Sequence, residues 1–240
     1  MIIYIYYICL YLLSFSPSWF ILLAIIADSK SYMTTQDKTQ IMNIANFNII
    51  DGRLNIADWV PSPNFGERPA PYDKEANIRL IVIHNISLPP SEFGKTAHHG
   101  EHFVKAFFQN RLDPKAHPYF ESIYQQQVSA HLFIERDGTV TQFVDFAKRA
   151  WHAGKSRYLG EDNCNDFSIG IELEGDDYSE FDERQYQALA DTIVAIYRAY
   201  PKTRNHLAGH SDVARGRKSD PGLQFDWQKL RQLVKQKEAL

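Results

Sequence analysis

The run from Ile78 to His84 constrains the fold more than any other segment of the chain. It reads Ile-Arg-Leu-Ile-Val-Ile-His and is almost continuously β-branched and apolar. This pattern is typical of a strand that is buried on both faces of a sheet. The run ends at Asn85, and the Pro89-Pro90 pair shortly after it excludes a helix there, because proline lacks the backbone donor that a helix needs.

Further strand and helix patterns alternate along the rest of the chain. Strand patterns occupy three segments, namely Val128–Ile134, Val140–Val144 and Phe167–Leu173. An Asp-Gly turn joins the first two of these into a hairpin. Helical patterns also occupy three segments, namely Ala97–Gln109, Asp182–Tyr200 and Asp226–Leu233. This order predicts a mixed α/β fold, with a central mixed β-sheet flanked by α-helices.

Length, composition and charge narrow the class of protein. The chain has 240 residues, enough for one large domain or two small ones, and 44% of them are hydrophobic, as in a folded protein. A formal net charge of -3 provides no basic field, so we expect no nucleic-acid partner. Of Cys9 and Cys164, only Cys164 lies in the predicted domain, which fits a reducing compartment without internal disulfides.

Residues 1–42 form an apolar N-terminal extension, and we place the folded domain at residues 43–240. Met1–Ala27 carries no charged side chain, as in a membrane or signal segment. Two interpretations stay open. The extension is either such a segment, or translated sequence upstream of a true start at Met33 or Met42. We favour the misplaced start, because targeting segments nearly always have the basic flank that is missing here.

A polar segment near the C-terminus, Gly209–Gly222, brings an imidazole, a carboxylate and an amine together within a few residues. Pro221 and Gly222 predict a turn in this segment rather than a regular helix. His210 and Asp220 are residue types that bind zinc. Taken alone, however, the local residues favour a plain turn.

His84 changes this interpretation because it ends the buried strand. Polar side chains at that point of an α/β sheet face the crevice where ligands bind. A lone histidine there is more often a core residue that is bonded to a backbone carbonyl. Together with His210 and Asp220, however, it makes two imidazoles and one carboxylate. Three protein ligands with an open fourth position are typical of a catalytic zinc site.

Amide hydrolysis also needs a base and a positive group near the developing oxyanion. Glu172 lies among apolar strand residues, where a carboxylate is costly to bury without a partner. The alternative is an edge-strand glutamate that faces solvent. Lys218 would approach the metal if its segment is extended, and its alternative is a solvated surface lysine.

Five motifs support the enzymatic interpretation: Val82–Pro90, Val128–His131, Arg149–Gly154, Asn163–Gly175 and Lys218–Gly222. Through these motifs, the stretch from Trp59 to Trp227 resembles the cytoplasmic 1,6-anhydro-N-acetylmuramoyl-L-alanine amidases of the AmpD type. The resemblance implies the mixed-sheet fold that these enzymes share with peptidoglycan-recognition proteins. It also implies hydrolysis of the amide bond between anhydro-N-acetylmuramic acid and the L-alanine of the stem peptide, in cell-wall recycling, with an influence on β-lactamase induction.

The resemblance also implies roles for particular residues. One zinc ion (Zn2+) per chain would be held by His84, His210 and Asp220. Water activation would fall to Glu172, and stabilisation of the tetrahedral intermediate to Lys218. Substrate contacts are implied for Asn85, Trp151 and His152. We expect His131 to be structural, and the cluster of His98, His99 and His102 to lie on a solvated helix face.

The expected partner is an anhydro-muropeptide, with no obligate protein partner, and a membrane only if residues 1–27 are retained. The expected location is the cytoplasm. Two other functions stay open. One is a membrane-anchored or periplasmic amidase that acts on intact peptidoglycan, and the other is a non-catalytic peptidoglycan-binding module. The complete ligand set together with Glu172 and Lys218 favours the enzyme, since a receptor needs none of that chemistry.

Overall fold

The structure is a computed structural model that describes residues 47–74 and 77–239. The expectations for residues 1–42 therefore lie outside the described residues. The described strands are, in chain order, β1 (Ile49–Ile50), β2 (Arg53–Leu54), β3 (Asp58–Trp59), β4 (Phe65–Gly66), β5 (Leu80–Ile86), β6 (Leu132–Ile134), β7 (Val140–Gln142), β8 (Arg149–Ala150), β9 (Arg157–Tyr158), β10 (Glu161–Asp162), β11 (Ser168–Glu174) and β12 (Leu207–Gly209). The described α-helices are α1 (Phe103–Phe108), α2 (Glu183–Ala199), α3 (His210–Val213) and α4 (Trp227–Glu238). Short 3-10 helices lie at Pro118–Ser122, Cys164–Asp166 and Pro201–Thr203.

A six-stranded mixed sheet in the order β12-β5-β11-β6-β7-β3 forms the centre of the fold. The pairs β12–β5, β5–β11 and β11–β6 are parallel, whereas β7 runs antiparallel to β6. Helices α2 and α4 pack on one face, and α1 packs on the other. The predicted architecture, a central mixed sheet flanked by helices, is confirmed.

The strand β5 is the buried strand that the sequence predicts. Its side chains alternate between two hydrophobic clusters, as the two-residue period of a strand requires. Ile81 and Ile83 pack in the cluster that contains α2 and α4, whereas Leu80 and Val82 pack on the opposite face. By the same alternation, His84 lies on the face of Leu80 and Val82, away from those two helices.

The strand β11 lies between β5 and β6, in the interior of the sheet. Ile169 and Ile171 pack in the cluster with α2 and α4, so Glu172 lies on the opposite face. Its exposed fraction is only 8%. The alternative of an edge-strand glutamate that faces solvent is therefore wrong.

In both long helices, the first residue of the predicted segment is the N-cap. Asp182 accepts a hydrogen bond from the backbone of the first turn of α2, and Asp226 does the same for α4. The helix α4 continues past its predicted end at Leu233. One reason is a buried ion pair of 2.7 Å between Lys237 and Asp191, which joins the last turn of α4 to α2.

Three predicted elements are shorter in the structure, and one of them is the strand expected over Val140–Val144, which ends at Gln142. The helix expected over Ala97–Gln109 is reduced to α1, because His102 already acts as its cap and accepts from the backbone of Val104. The strand expected over Val128–Ile134 is reduced to β6. Its first part leaves the sheet ladder, since the backbone N–H of Ser129 donates instead to the Trp151 carbonyl. None of the helices in residues 47–74 and 77–239 is long and apolar enough to cross a membrane.

Candidate metal centre and active site

The parallel register of the sheet places the first predicted metal ligand beside the predicted base. His84 in β5 is paired with Glu172 in β11, and both lie on the face opposite α2 and α4. His210 directly follows β12, in which Gly209 is paired with Ile83. The carboxyl ends of three neighbouring parallel strands therefore meet at one edge of the sheet, where ligands bind in folds of this class.

The turn after α3 returns Asp220 to these strand ends. The backbone N–H of Gly222 donates to the Ser219 carbonyl at 3.1 Å, which closes the predicted turn. Gly222 has a φ of +86°, and a Cβ at this position would lie 2.3 Å from the Cα of Asp177. Only glycine allows the turn to adopt this conformation and to pack against Asp177.

The three predicted ligands converge in the structure. His84 Nδ1 lies 3.0 Å from His210 Nδ1 and 3.1 Å from Asp220 Oδ2. His210 Nδ1 lies 3.0 Å from the same Asp220 oxygen. Tetrahedral ligands at the usual zinc distances are about 3.3 Å apart. The spacing of the three atoms therefore fits a zinc ion.

The chemistry of these donors also favours a cation. His210 Nε2 lies 3.1 Å from the Ala153 carbonyl, which can only accept a hydrogen bond. The His210 proton therefore sits on Nε2, and Nδ1 presents a bare lone pair to the carboxylate of Asp220. Two acceptors 3.0 Å apart repel each other unless a cation lies between them.

Burial controls the protonation of the first ligand. His84 is 1% exposed, and desolvation lowers its pKa from 6.5 to about 4. The imidazole is therefore neutral at pH 7, which is the form that binds metal ions.

Glu172 has the environment of a proton-transferring carboxyl group. Its Oε1 lies 4.0 Å from His84 Nδ1, and its Oε2 is buried without a hydrogen-bond partner in the part of the chain that the structure describes. Burial and the charge of Asp220 raise the pKa of Glu172 well above its usual value, whereas Lys218 opposes this shift. A carboxyl group with a raised pKa is suited to general acid–base catalysis.

Lys218 is exposed and lines the same cavity as Glu172. Its positive charge acts to lower the pKa of both Glu172 and His84. The residue is therefore solvated and also lines the cavity, and its role in stabilising the tetrahedral intermediate stays a prediction.

These side chains line a cavity of about 570 Å³. The polar part of its lining includes the three predicted ligands together with Glu172, Asp177 and Tyr178. An apolar wall is formed mainly by α1 and by the segments around it, with Leu88, Phe107, Phe108, Ile123 and Val128. The size is that of a site for a small organic ligand.

The three predicted substrate contacts lie in different environments in the structure. Asn85 lines the cavity and donates through Nδ2 to Asp177 Oδ1 at 2.9 Å. His152 also lines the cavity, but its two ring nitrogens contact protein groups. Trp151 is not among the residues that line the cavity. A substrate contact for each of the three stays a prediction.

The histidine cluster does not lie on one solvated face. His98 and His99 are exposed, but His102 is 5% exposed and its Nε2 lies 3.0 Å from Glu174 Oε1. Glu174 also accepts from the backbone N–H groups of Gly94 and Arg136. The buried carboxylate of Glu174 therefore connects the segment that precedes α1 to β11, the strand that carries Glu172. Sequence patterns do not reveal the contact, because its partners are 72 residues apart.

We expect Glu174→Ala to lower the free energy of unfolding by about 3 kcal/mol, the upper end of the cost of an unsatisfied buried group, because three donors lose their acceptor. Urea unfolding of the purified protein measures this change. Glu92→Ala is the control, because Glu92 is exposed, and surface changes of this kind stay within about 0.5 kcal/mol. A loss as small as that of the control would contradict the anchoring role.

The hydrogen bonds of Glu174 predict that the stability of the fold depends on pH. Burial acts to raise the pKa of Glu174, but the hydrogen bonds from His102, Gly94 and Arg136 outweigh it and hold the pKa below 4.5. The carboxylate therefore stabilises the fold above about pH 4.5, and this contribution is lost as the pH falls through the lowered pKa. The stability difference between wild type and Glu174→Ala should narrow in that acidic range.

Arg68 is a structural residue that the sequence does not reveal. Its guanidinium is 3% exposed and donates to the carbonyls of Phe146, Ser168, Asn165 and Asp166. Burial lowers its pKa to about 10, so it stays charged at pH 7. It fastens the loop before β5 to the start of β11. No local pattern marks it, since an arginine in a proline-rich loop is usually solvated.

His131 makes structural contacts, as expected, although it lies just before β6 rather than within a strand. Its Nδ1 accepts from the backbone N–H of Gly170 at 3.0 Å, and its Nε2 lies 3.1 Å from the Lys148 carbonyl. It therefore connects β11 to the segment before β8, below the candidate site.

Comparison with known proteins identifies the family of the chain. The family profile described as N-acetylmuramoyl-L-alanine amidase, Amidase_2, matches residues 74–223. The chain is 48% identical over 185 residues to the 1,6-anhydro-N-acetylmuramyl-L-alanine amidase AmpD of Haemophilus influenzae, covering 77% of this chain and 95% of the relative. It is 49% identical over 183 residues to the protein of the same name from Escherichia coli K12, covering 76% and 94%.

A solved structure gives the same result. The crystal structure of a selenomethionine AmpD derivative superposes with a TM-score of 0.72 at 48% identity, and covers 78% of this chain and 98% of that chain. The profile match spans more than half of the chain, and the similarity to the relatives spans nearly their whole length. The chain therefore belongs to the N-acetylmuramoyl-L-alanine amidase family of amide-bond hydrolases.

Proposed function

We propose that this enzyme is a zinc-dependent amidase that releases the stem peptide from 1,6-anhydro-N-acetylmuramic acid, by cutting the amide bond to L-alanine. The observation that carries the proposal is the convergence of His84, His210 and Asp220 beside the buried carboxyl group of Glu172. Its relatives of 44% to 49% identity, which are named 1,6-anhydro-N-acetylmuramyl-L-alanine amidases, support the substrate class.

The metal would be one zinc ion per chain. Nδ1 of His84, Nδ1 of His210 and Oδ2 of Asp220 would hold it, because these atoms lie within 4.8 Å of one another. When bound, zinc polarises a carbonyl oxygen and lowers the pKa of water.

The chain itself supplies the proton transfers and part of the charge stabilisation. Oε2 of Glu172, which has no hydrogen-bond partner among the described residues, would take a proton from the attacking water and pass it to the leaving amine of L-alanine. Lys218 would place its positive charge near the oxygen that becomes negative in the tetrahedral intermediate. A donor in such a position typically contributes about 3–4 kcal/mol to the lowering of the barrier.

The substrate would occupy the cavity above these groups. The polar end would receive the scissile amide, and Asn85 would be a contact for the peptide. We place the activity in the cytoplasm, in muropeptide recycling, with an influence on β-lactamase induction. The buried free thiol of Cys164 is compatible with a reducing compartment.

Product analysis tests the proposal. Purified full-length protein is incubated with anhydro-muropeptide or with whole sacculi, each with and without a chelator, and the products are identified by mass. We expect release of a peptide with a free N-terminal L-alanine from anhydro-muropeptide, loss of this activity with chelator, and recovery after zinc is added back.

Three outcomes would contradict the proposal. Cleavage that is insensitive to the chelator would exclude the zinc mechanism. Faster release of peptide from sacculi than from anhydro-muropeptide would favour an amidase of intact peptidoglycan. Binding of the muropeptide without cleavage would favour the non-catalytic binding module.

A further inference from the structure

A chain of hydrogen bonds leads from the first metal ligand to a backbone carbonyl. His84 Nε2 lies 2.9 Å from His152 Nδ1. His152 Nε2 lies 3.1 Å from Ser168 Oγ, and Ser168 Oγ lies 2.5 Å from the Cys164 carbonyl oxygen. These contacts give both ring nitrogens of His152 a protein partner.

We propose that His152 is a positioning residue that sets the tautomer of His84, so that Nδ1 of His84 is the nitrogen available to the metal. The inference rests on the metal site of the proposed function, and it goes beyond that function by assigning how the site is kept ready for zinc. It also gives His152 a role different from the substrate contact that the sequence predicts.

The carbonyl at the far end determines the direction of every hydrogen bond in the chain. A carbonyl oxygen can only accept, so the hydroxyl proton of Ser168 points at Cys164. Ser168 Oγ then accepts from His152 Nε2, which places the single ring proton of a neutral His152 on Nε2. His152 Nδ1 is consequently a bare acceptor, and it requires the proton on Nε2 of His84.

The consequence appears at the other side of the His84 ring. With its proton on Nε2, His84 presents a bare Nδ1 to His210 Nδ1 and to Asp220 Oδ2. The opposite tautomer would place a hydrogen where the metal must bind. An outer hydrogen bond that fixes the tautomer of a metal-binding histidine is a recurring device in metal sites.

In the second histidine ligand, His210, a backbone carbonyl fixes the tautomer directly. His210 Nε2 contacts the Ala153 carbonyl at 3.1 Å, without an intermediate residue. Ala153 directly follows His152 in the chain, so one short segment controls both imidazoles. For His84, two side chains, those of His152 and Ser168, lie between the ring and the backbone carbonyl.

The neighbouring strand holds the His152 ring in place. A Cβ at Gly170 would lie only 2.4 Å from Cγ of His152, so the absence of a side chain there makes room for the ring. The backbone N–H of His152 donates to Asn165 Oδ1 at 3.2 Å. The ring also meets His84 edge-on, with centroids 5.0 Å apart. The hydrogen bond to His84 is therefore supported on three sides.

Two amide substitutions separate the proposed role from simple packing. The Oδ1 atom of asparagine can occupy the place of Nδ1 and accept from His84, whereas the amide of glutamine reaches the place of Nε2. We expect His152→Gln and His152→Ala to weaken zinc binding by about 10–100-fold, the usual effect of losing an outer partner of a metal ligand. His152→Asn should keep an affinity close to that of wild type.

The zinc dissociation constant is measured on full-length protein by competition with a fluorescent chelating indicator. His99→Gln is the matched control. His99 is an exposed histidine, and its hydrogen-bond contact is with Glu101 rather than with one of the predicted ligands. Wild-type zinc affinity in His152→Gln and His152→Ala would overturn the proposal. An equal loss in His152→Asn and His152→Gln would also overturn it, since the acceptor position would then not matter.

A second measurement does not depend on the folding of any variant. Nitrogen-15 NMR of the zinc-free wild-type protein reports which ring nitrogen of His84 carries the proton. We expect the proton on Nε2, and a dominant proton on Nδ1 would overturn the proposal. Neither readout involves turnover, so failure of the enzyme to cleave anhydro-muropeptide would refute the proposed function and leave this inference standing.

Discussion

Glu172→Gln is expected to lower kcat by about 10²–10⁴-fold, the typical contribution of a general acid–base group, while zinc content stays at the wild-type level. Glutamine keeps the size of the side chain but cannot take a proton from water. The fold should not be weakened, because the substitution removes a carboxyl group that is 8% exposed and has an unpartnered Oε2 among the described residues. Steady-state kinetics, metal analysis and thermal unfolding check these three statements.

Glu174→Gln is a matched comparison for this prediction. Glu174 lies two residues further along the same strand and on the same face, but it is bonded to His102, Gly94 and Arg136 instead of facing the metal ligands. We expect this variant to lose stability and to retain turnover. Near-normal turnover in Glu172→Gln would remove the residue from the proton-transfer role.

Asp220→Ala should abolish both zinc binding and hydrolysis. The carboxylate supplies one of the three proposed ligand atoms, and its loss leaves the two imidazole nitrogens of His84 and His210. We therefore expect a loss of zinc affinity greater than the roughly 10–100-fold that is typical for an outer partner of a ligand. Zinc titration with a competing indicator measures the affinity, and the anhydro-muropeptide assay measures the activity.

Asp113→Ala serves as the control for the removal of an aspartate. Its carboxylate lies in an exposed loop and accepts only from the backbone N–H of Lys115 among the described contacts. This variant should bind zinc and turn over substrate like wild type. If Asp220→Ala kept stoichiometric zinc at wild-type affinity, the metal site would have to lie elsewhere.

Local elements of the fold follow from short sequence signals. The apolar run of β5, the Asp-Gly hairpin between β6 and β7, and the capped helices α2 and α4 all lie where the sequence predicts them. Each signal acts over a few residues, through side-chain alternation, turn geometry or a capping hydrogen bond. The helix predicted over Ala97–Gln109 is too long. His102, which caps the shorter helix α1, is bonded to Glu174 on a distant strand.

The candidate site is likewise only partly predictable from the sequence. The residue types of a zinc hydrolase, His84, His210, Asp220, Glu172 and Lys218, can be chosen from the sequence by motif. Their arrangement cannot, because His84 is separated from Asp220 by 136 residues and meets it only through the parallel register of β12, β5 and β11. The position of Glu172 in the sheet interior rather than at an edge likewise depends on strand order.

Sequence alone therefore determined which strands and helices form and which side chains are candidates for the chemistry, since both depend on local patterns. Only the tertiary structure decided which polar and charged groups surround the predicted metal ligands. The link from His84 through His152 to the Cys164 carbonyl joins segments 68 residues apart, and Glu174 meets His102 across 72. Such contacts depend on packing between distant parts of the chain, which no short-range periodicity encodes.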